Sequence, residues 1–177
     1  VPRPNTDSLV ILFGDLERQM ADIVRVDSTG AIILSGTYAG ALQLGDDLQI
    51  STNESDIFLV KLDGDGNHLW SHAFHTQDLS VLRAMAVDAN DQIHLGAAGV
   101  GEVDLGGGLS SEMQVGSLAT DGTYLRQQSL GSRYGALAGL HVADGTMFVA
   151  GHAPDPLDLG VEPTPSGGRI FIAHIQR

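Results

Sequence analysis

The sequence predicts an all-β protein of the β-propeller class: three four-stranded blades in this chain, amounting to half of a six-bladed ring. One observation is an internal repeat, in which the matching valines Val26, Val87 and Val142 are 61 and then 55 residues apart. The other is the spread of 23 glycines along a chain with little helical patterning, which is typical of many short strands joined by tight turns. A period of this length with four strands fits propeller blades better than β-helices or an immunoglobulin-like sandwich.

Composition narrows the function before any motif is considered. The chain of 177 residues has 22 acidic and nine basic residues, a formal net charge of −13, and Lys61 as its single lysine. Such a surface repels a phosphate backbone, so nucleic acid is excluded as a partner. The absence of cysteine excludes disulfides and thiol chemistry. The longest apolar run, Leu9–Phe13, is far too short for a membrane span.

The first two strands of each repeat are read from short apolar segments. The repeats cover approximately 9–68, 69–124 and 125–177 of one propeller domain. Each repeat opens with an apolar strand, and after a polar connection a second strand follows. The opening strands are Leu9–Phe13, Leu69–Phe74 and Leu125–Leu130, and the second strands are Ile23–Asp27, Ala84–Asp88 and Leu140–Val142.

The second half of each repeat begins with a turn rich in Asp, Asn and Gly, residues that suit tight hairpins. A third strand ends in glycine, a short aliphatic-x-Leu-Gly signature returns, and a variable loop leads to the fourth strand. The third strands are Ile32–Gly36, Ile93–Gly96 and Met147–Gly151; the signatures are Leu42–Gly45, Val103–Gly106 and Leu157–Gly160; the fourth strands are Asp56–Leu62, Glu112–Leu118 and Arg169–Ile175.

Three segments carry a resemblance to a known family. The run Ser55–Ser71, followed by Ala84–Asp88 and Val103–Gly108, resembles the SBBP-type bacterial β-propeller repeats, and the resemblance extends over nearly the whole chain. It implies a propeller fold and an extracellular or cell-surface location in a bacterium. It implies no catalytic motif.

The phase of the repeats predicts how the ring closes. If blades run from an innermost first strand to an outermost fourth strand, the chain begins on an outermost strand and lacks one in its last blade. We expect Ser8–Phe13 of one copy to complete the Arg169–Gln176 blade of a second copy across a two-fold axis. The alternatives are that the remaining blades belong to a longer chain, or that the chain is an engineered or natural fragment that assembles from partial rings.

One turn has the beginnings of a calcium loop. Asp63, Asp65 and Asn67 alternate with glycines, as oxygen ligands do in such loops. The twelfth position from Asp63 is Phe74, where a calcium loop requires Glu, so a plain hairpin is the favoured interpretation. The seven histidines fall at non-equivalent positions of the repeats, which argues against a shared zinc or copper site, and no cofactor is predicted.

A ligand-binding face is predicted from residues near the ends of the strands. The connections leading into the second strand of each repeat each contain one arginine, and arginine forks suit carboxylate, sulfate or sugar acid groups. Exposed tyrosines can stack on sugar rings. The candidate residues are Arg18, Arg83, Arg133, Tyr38 and Tyr134.

These features predict a non-enzymatic extracellular or surface module that binds protein or glycan, or serves as a scaffold, on the loop face of a propeller, with self-association to complete the ring. The alternative is a polysaccharide hydrolase or lyase that uses the loop carboxylates Asp46, Asp47 and Glu102 as acid and base. No Ser-His-Asp order, nucleophile elbow or phosphate loop supports catalysis.

Overall fold

A computed structural model describes residues 10–12, 14, 17–45, 47–51, 55–77, 80–159 and 167–176. In these ranges the chain forms β-strands and no helix, so no helix of a length and apolarity that would cross a membrane occurs there. The strands of the described residues are β1 (Gln19–Val26), β2 (Ile32–Tyr38), β3 (Ala41–Leu44), β4 (Asp47–Ile50), β5 (Asp56–Leu62), β6 (His68–Phe74), β7 (Ser80–Val87), β8 (Ile93–Gly99), β9 (Gln114–Leu118), β10 (Tyr124–Ser129), β11 (Ala136–Ala143), β12 (Thr146–Ala153) and β13 (Arg169–Gln176).

The strands form three antiparallel sheets, which confirms the all-β class. Sheet 1 has the order β1-β2-β5-β6, sheet 2 has β7-β8-β9-β10, and sheet 3 has β11-β12-β13. Consecutive strands are neighbours in each sheet, apart from a small two-stranded sheet of β3 and β4 that is inserted between β2 and β5. Each sheet therefore follows the strand order that the repeat predicted.

Strand positions agree with the sequence pattern to within a few residues. β5 begins and ends where the pattern placed it, while β1, β7 and β11 each begin four residues earlier than expected. Of the predicted strand Ser8–Phe13, only residues 10–12 are described, and they lie outside any strand. The rest of that segment lies outside the described residues, as does its predicted pairing with a second copy.

Five-residue hairpins of one type join many of the strands. In the hairpin Asp27–Ala31, the Asp27 amide donates to Ala31 O at 3.0 Å and the Gly30 amide donates to Asp27 O at 3.1 Å. Gly30 has a φ of 86°, which glycine adopts without a steric penalty. The same backbone pattern recurs at 63–67, 88–92 and 119–123. The repeat is thus visible in the turns as well as in the strands.

Pairing and alternation divide each sheet into two faces. We call forward the face with Ile57 and Leu59 in sheet 1, Val115 in sheet 2, and Ile170 and Ile172 in sheet 3. We call rear the opposite face. On the first strands, the rear face carries Val24 and Val26 in β1, Met85 and Val87 in β7, and Leu140 and Val142 in β11, all placed by the strand registers.

The forward face of each of the first two sheets packs on the rear face of the next sheet. Ile57 and Leu59 of sheet 1 share a buried cluster with Met85, Ile93 and Leu95 of sheet 2. Val115 of sheet 2 shares a second cluster with sheet 3, where the members include Leu137, Met147, Val149 and Ile175. The first strands carry much of this stacking, because β7 contacts β1, β2 and β5, and β11 contacts β7 and β8.

A buried lysine joins the first two sheets. Lys61 on β5 is 4% exposed, and its Nζ lies 2.8 Å from Asp27 Oδ2. The same Nζ donates to the carbonyl oxygen of Thr120 at 3.0 Å and to its hydroxyl at 2.7 Å, in the hairpin 119–123 of sheet 2. Trp70 Nε1 donates to the same carbonyl at 3.1 Å. The inter-sheet contact is therefore polar at its edge and apolar at its centre.

Candidate functional site

The first strands of the three sheets converge on a cleft of about 410 Å³. Each of these strands has a β-bulge at an equivalent place, between Ala21 and Ile23, between Leu82 and Ala84, and between Leu137 and Gly139. A bulge turns one extra residue out of the ladder, and bulges are common beside functional sites. The three bulged residues, Asp22, Arg83 and Ala138, all line the cleft.

The cleft has a positive wall within a strongly acidic molecule. Arg25 on β1 and Arg83 on β7 both line it, together with a single acidic residue, Asp22. The Arg25 Nη1 atom donates to Val24 O at 2.8 Å, and both arginine residues are exposed to solvent. A guanidinium can present several parallel donors to a carboxylate or sulfate. The arrangement can therefore hold an anionic group of a ligand.

Of the three predicted arginines, Arg83 is the one that lines the cleft. It is the bulged residue of β7 rather than part of a connection. Arg18 immediately precedes β1, and its Nη2 atom lies 3.7 Å from Met20 Sδ. Arg133 is exposed in the turn before β11. The three are not at equivalent positions of the sheets.

The two predicted tyrosines have opposite environments. Tyr38 is buried and packs edge to face on Phe58, with ring centroids 6.4 Å apart. Burial and the nearby Asp56 carboxylate raise the pKa of Tyr38 to about 12. Its ring is thus part of the core. Tyr134 is exposed beside Arg133 and is accessible for stacking.

The Asp63–Asn67 segment folds as a hairpin. The Asp63 oxygens that could bind calcium instead accept hydrogen bonds within this hairpin. Asp63 Oδ1 accepts bonds from the backbone amides of Asp65 and Asn67 at 2.9 and 2.8 Å, and Oδ2 accepts the Asn67 side-chain amide at 2.8 Å. These bonds, led by those from Asn67, lower the pKa of the exposed Asp63 carboxyl. Within the part of the chain that the structure describes, no group of three or more His, Asp or Glu residues could hold a metal ion.

The histidines occupy separate environments, as their strand positions predict. His72 lies between Trp70 and Phe74, with ring centroids 5.3 and 6.0 Å away, and its Nε2 atom is 2.8 Å from Gly122 O. His75 projects elsewhere and lies 2.9 Å from the buried Asp56 carboxylate. His94 is buried, with Nε2 3.0 Å from Asp88 Oδ2. Each ring contacts a structural partner.

Two of the three loop carboxylates proposed for hydrolysis, Asp47 and Glu102, belong to the described residues and lie in segments of different sheets. Asp46 lies outside the described residues. Asp47 Oδ2 accepts the Ser71 hydroxyl at 2.9 Å and lies 3.6 Å from His68 Nε2, which places it against β6. Glu102 belongs to the connection between β8 and β9 of sheet 2, where its carbonyl accepts the Gln77 amide at 2.9 Å.

Sequence reasoning missed Arg25. Its position in the register pairs it with Ile33, and the equivalent residue of sheet 2 is Ala86, which is buried and pairs with His94. The available signal was a charged residue at a repeat position that is Ala86 in the second repeat and His141 in the third. Predicting the cleft from sequence requires this signal and the positions of the three bulges. No short sequence motif marks these bulges.

Comparisons with known proteins found no family model that matches the chain and no curated protein that matches it.

Proposed function

We propose that the chain is a segment of a β-propeller that works as a non-enzymatic binding module. The supporting observations are the three antiparallel sheets that repeat one strand order, and the stacking of each sheet on the next mainly through its first strand. In a propeller the first strands line the central axis, and the ring typically has about four to eight such sheets. The resemblance of Ser55–Ser71 to SBBP-type repeats supports the same fold and an extracellular or cell-surface location.

The ligand class is proposed from the cleft between the first strands. Its volume of about 410 Å³ lies in the range of small-ligand sites. Arg25 and Arg83 lie on its wall although the molecule has only nine basic residues and a net charge of −13. The function best supported is recognition of an anionic group, such as a uronate or sulfate of a glycan or an acidic side chain of a protein. The positive wall in an acidic molecule is the observation that carries this proposal.

The test is binding of the purified protein to an array of neutral, uronate-containing and sulfated glycans and to acidic peptides. We expect acidic glycans to bind and neutral ones not to bind, with affinity falling at higher salt because exposed charge pairs are screened. Arg25→Ala and Arg83→Ala should each weaken binding roughly tenfold, the size of a charged hydrogen bond.

Arg169→Ala is the matched control, because Arg169 is an exposed arginine at the start of β13 and away from the cleft. Its variant should bind like the wild type. Equal weakening by all three substitutions would show an effect of net charge alone, and the cleft would lose its assignment. Absence of binding to every acidic glycan and every acidic peptide tested would remove the proposed ligand class.

A further inference from the structure

Sheet 3 presents a bare apolar face whose equivalents in this chain are buried. On its forward face, Ile170 is 89% exposed, Ile172 is 80% exposed and Phe148 is 41% exposed. The matching residues of sheet 1 are Ile57, Leu59 and Ile33, and each of them is 0% exposed. Ile172, Phe148 and Ala150 line a shallow groove of about 290 Å³. The same register position is thus core in one sheet and surface in another.

On sheet 1, the complementary bare surface is the rear side of its first strand, whereas Phe58 and Val60 on the rear side of β5 are buried in a cluster with Leu42 and Leu44 of β3. Val24 and Val26 of β1 are 55% and 59% exposed. Their equivalents in β7 are Met85, which is fully buried against sheet 1, and Val87, which packs against the same cluster. Those in β11 are Leu140 and Val142, and both pack against the cluster shared with sheet 2. In this chain, the two apolar residues on the rear side of a first strand are therefore covered in each sheet that has another sheet before it.

We propose that the forward face of sheet 3 docks on the rear face of sheet 1 of a second copy of this chain. The two sheet interfaces within the chain are the template, because each joins a forward face to a rear face in the same way. The docking rests on the proposed propeller arrangement. It places Ile172 and Phe148 of one copy against Val24 and Val26 of the other, and in a two-fold pair it forms twice.

The polar edge of the interface is complementary as well. In the contact between sheets 1 and 2, Lys61 reaches the hairpin 119–123 of sheet 2 through Thr120. Its register equivalent in sheet 3 is His174, which is exposed. The hairpin that corresponds to 119–123 in sheet 1 is 63–67, which contains Asp63 and Asp65. An imidazole donor would therefore meet an acidic hairpin.

Burial of single engineered cysteines tests the docking, because the chain has no native cysteine. Ile172→Cys and Val24→Cys should react with a thiol reagent at least tenfold more slowly at high than at low protein concentration. Val100→Cys is the matched control, because Val100 is 56% exposed and lies on neither face. It should react at one rate throughout. Fast reaction of all three cysteines at every concentration would overturn the docking.

Sedimentation equilibrium gives the second measurement. Wild type should form a dimer of the 18.6 kDa chain. Ile172→Asp and Val26→Asp should each raise the dissociation constant at least tenfold, while Val100→Asp should leave it unchanged. The proposal would be refuted if the wild type stays monomeric, or if both face variants dimerise with the same dissociation constant as the wild type. Because glycan binding is scored separately, a wild type that stays monomeric and still binds acidic glycans would refute the docking and leave the proposed ligand class standing.

Discussion

At the scale of single residues, the aspartates at the turns share one structural role, which is to accept hydrogen bonds from backbone amides of their own turn. Asp27, Asp63, Asp88 and Asp104 each accept, on Oδ1, the backbone amides of the residues two and four positions later. Asp121 accepts the first of these from Thr123. The preference of aspartate for such turns was predictable from sequence, because its side chain is short enough to bond its own loop. These hydrogen bonds explain part of the high acidic content of the chain without invoking a ligand.

Asp27 differs from the other turn aspartates because its second oxygen is buried with Lys61. Burial alone would raise its pKa, but the hydrogen bonds from Lys61, Thr29 and Ala31 outweigh burial and lower the pKa from 3.8 to about 2. Between about pH 4 and pH 2 the unfolded chain therefore binds a proton that the folded chain does not. Stability is present above this window and is lost as the pH falls through it, by roughly 2 kcal/mol.

The expected result is a fall in the free energy of unfolding between pH 4 and pH 2, measured by urea denaturation. Asp27→Asn should be less stable at pH 6 and should show a shallower fall, because it lacks this titration. Asp63→Asn is the control for an exposed turn aspartate. A carbon NMR titration of wild type should place the Asp27 midpoint near pH 2, and a midpoint near 4 would contradict the argument.

At the scale of elements, the hairpins are the parts best predicted from sequence. The structure shows which residues outside each hairpin they contact. Gly30 and Gly122 hold the same place in two hairpins and share a φ of 86°. A Cβ on Gly30 would meet nothing within 4 Å, whereas one on Gly122 would lie 3.0 Å from both His72 Nε2 and Trp70 Cδ2. The local conformation is predictable from the glycine that closes the turn in both hairpins. The contact of the second hairpin with β6 is not, because β6 is about 50 residues away in the chain.

Alanine substitution at the two glycines separates the backbone strain of the turn from the contact with β6. Gly30→Ala should cost about 1 kcal/mol, the strain of an L-residue in the left-handed region. Gly122→Ala should cost that strain plus about 1–3 kcal/mol of overpacking against Trp70 and His72. The free energies of unfolding from urea denaturation check this. Equal losses in the two variants would mean that the hairpin 119–123 does not pack on β6 as described.

At the scale of the whole molecule, sheets are joined by apolar faces with polar contacts at their edges. Lys61 is a member of β5, yet its ammonium group contacts Asp27 at the end of β1 and Thr120 of sheet 2. In sheet 2 the buried His94 takes the corresponding place beside Asp88. Sequence presents these two basic residues as unrelated, since one lies on the third strand of its sheet and the other on the second.

Lys61→Met should destabilise the protein by about 3–5 kcal/mol, because it leaves the Asp27 carboxylate buried without its cation. The double variant Asp27→Asn/Lys61→Met should lose less than the sum of the two single variants, because it buries no unpaired charge. Urea denaturation of the four proteins at pH 7 measures the coupling. Strict additivity would show that the Lys61 ammonium group and the Asp27 carboxylate do not stabilise each other in the folded protein.

The sequence by itself determined the class of fold, the strand order and the turns, because these depend on alternation, glycine and aspartate within a few residues. It also predicted that the histidines fall at non-equivalent positions, and it named Arg83, which lines the cleft. Only the tertiary structure decided that Tyr38 is core, that Arg25 joins Arg83 on one cleft, and that Ile57 is buried while its equivalent Ile170 is bare. The physical reason is that strand periodicity assigns residues to the two faces of a sheet, whereas burial and charge pairing depend on which sheet covers each face.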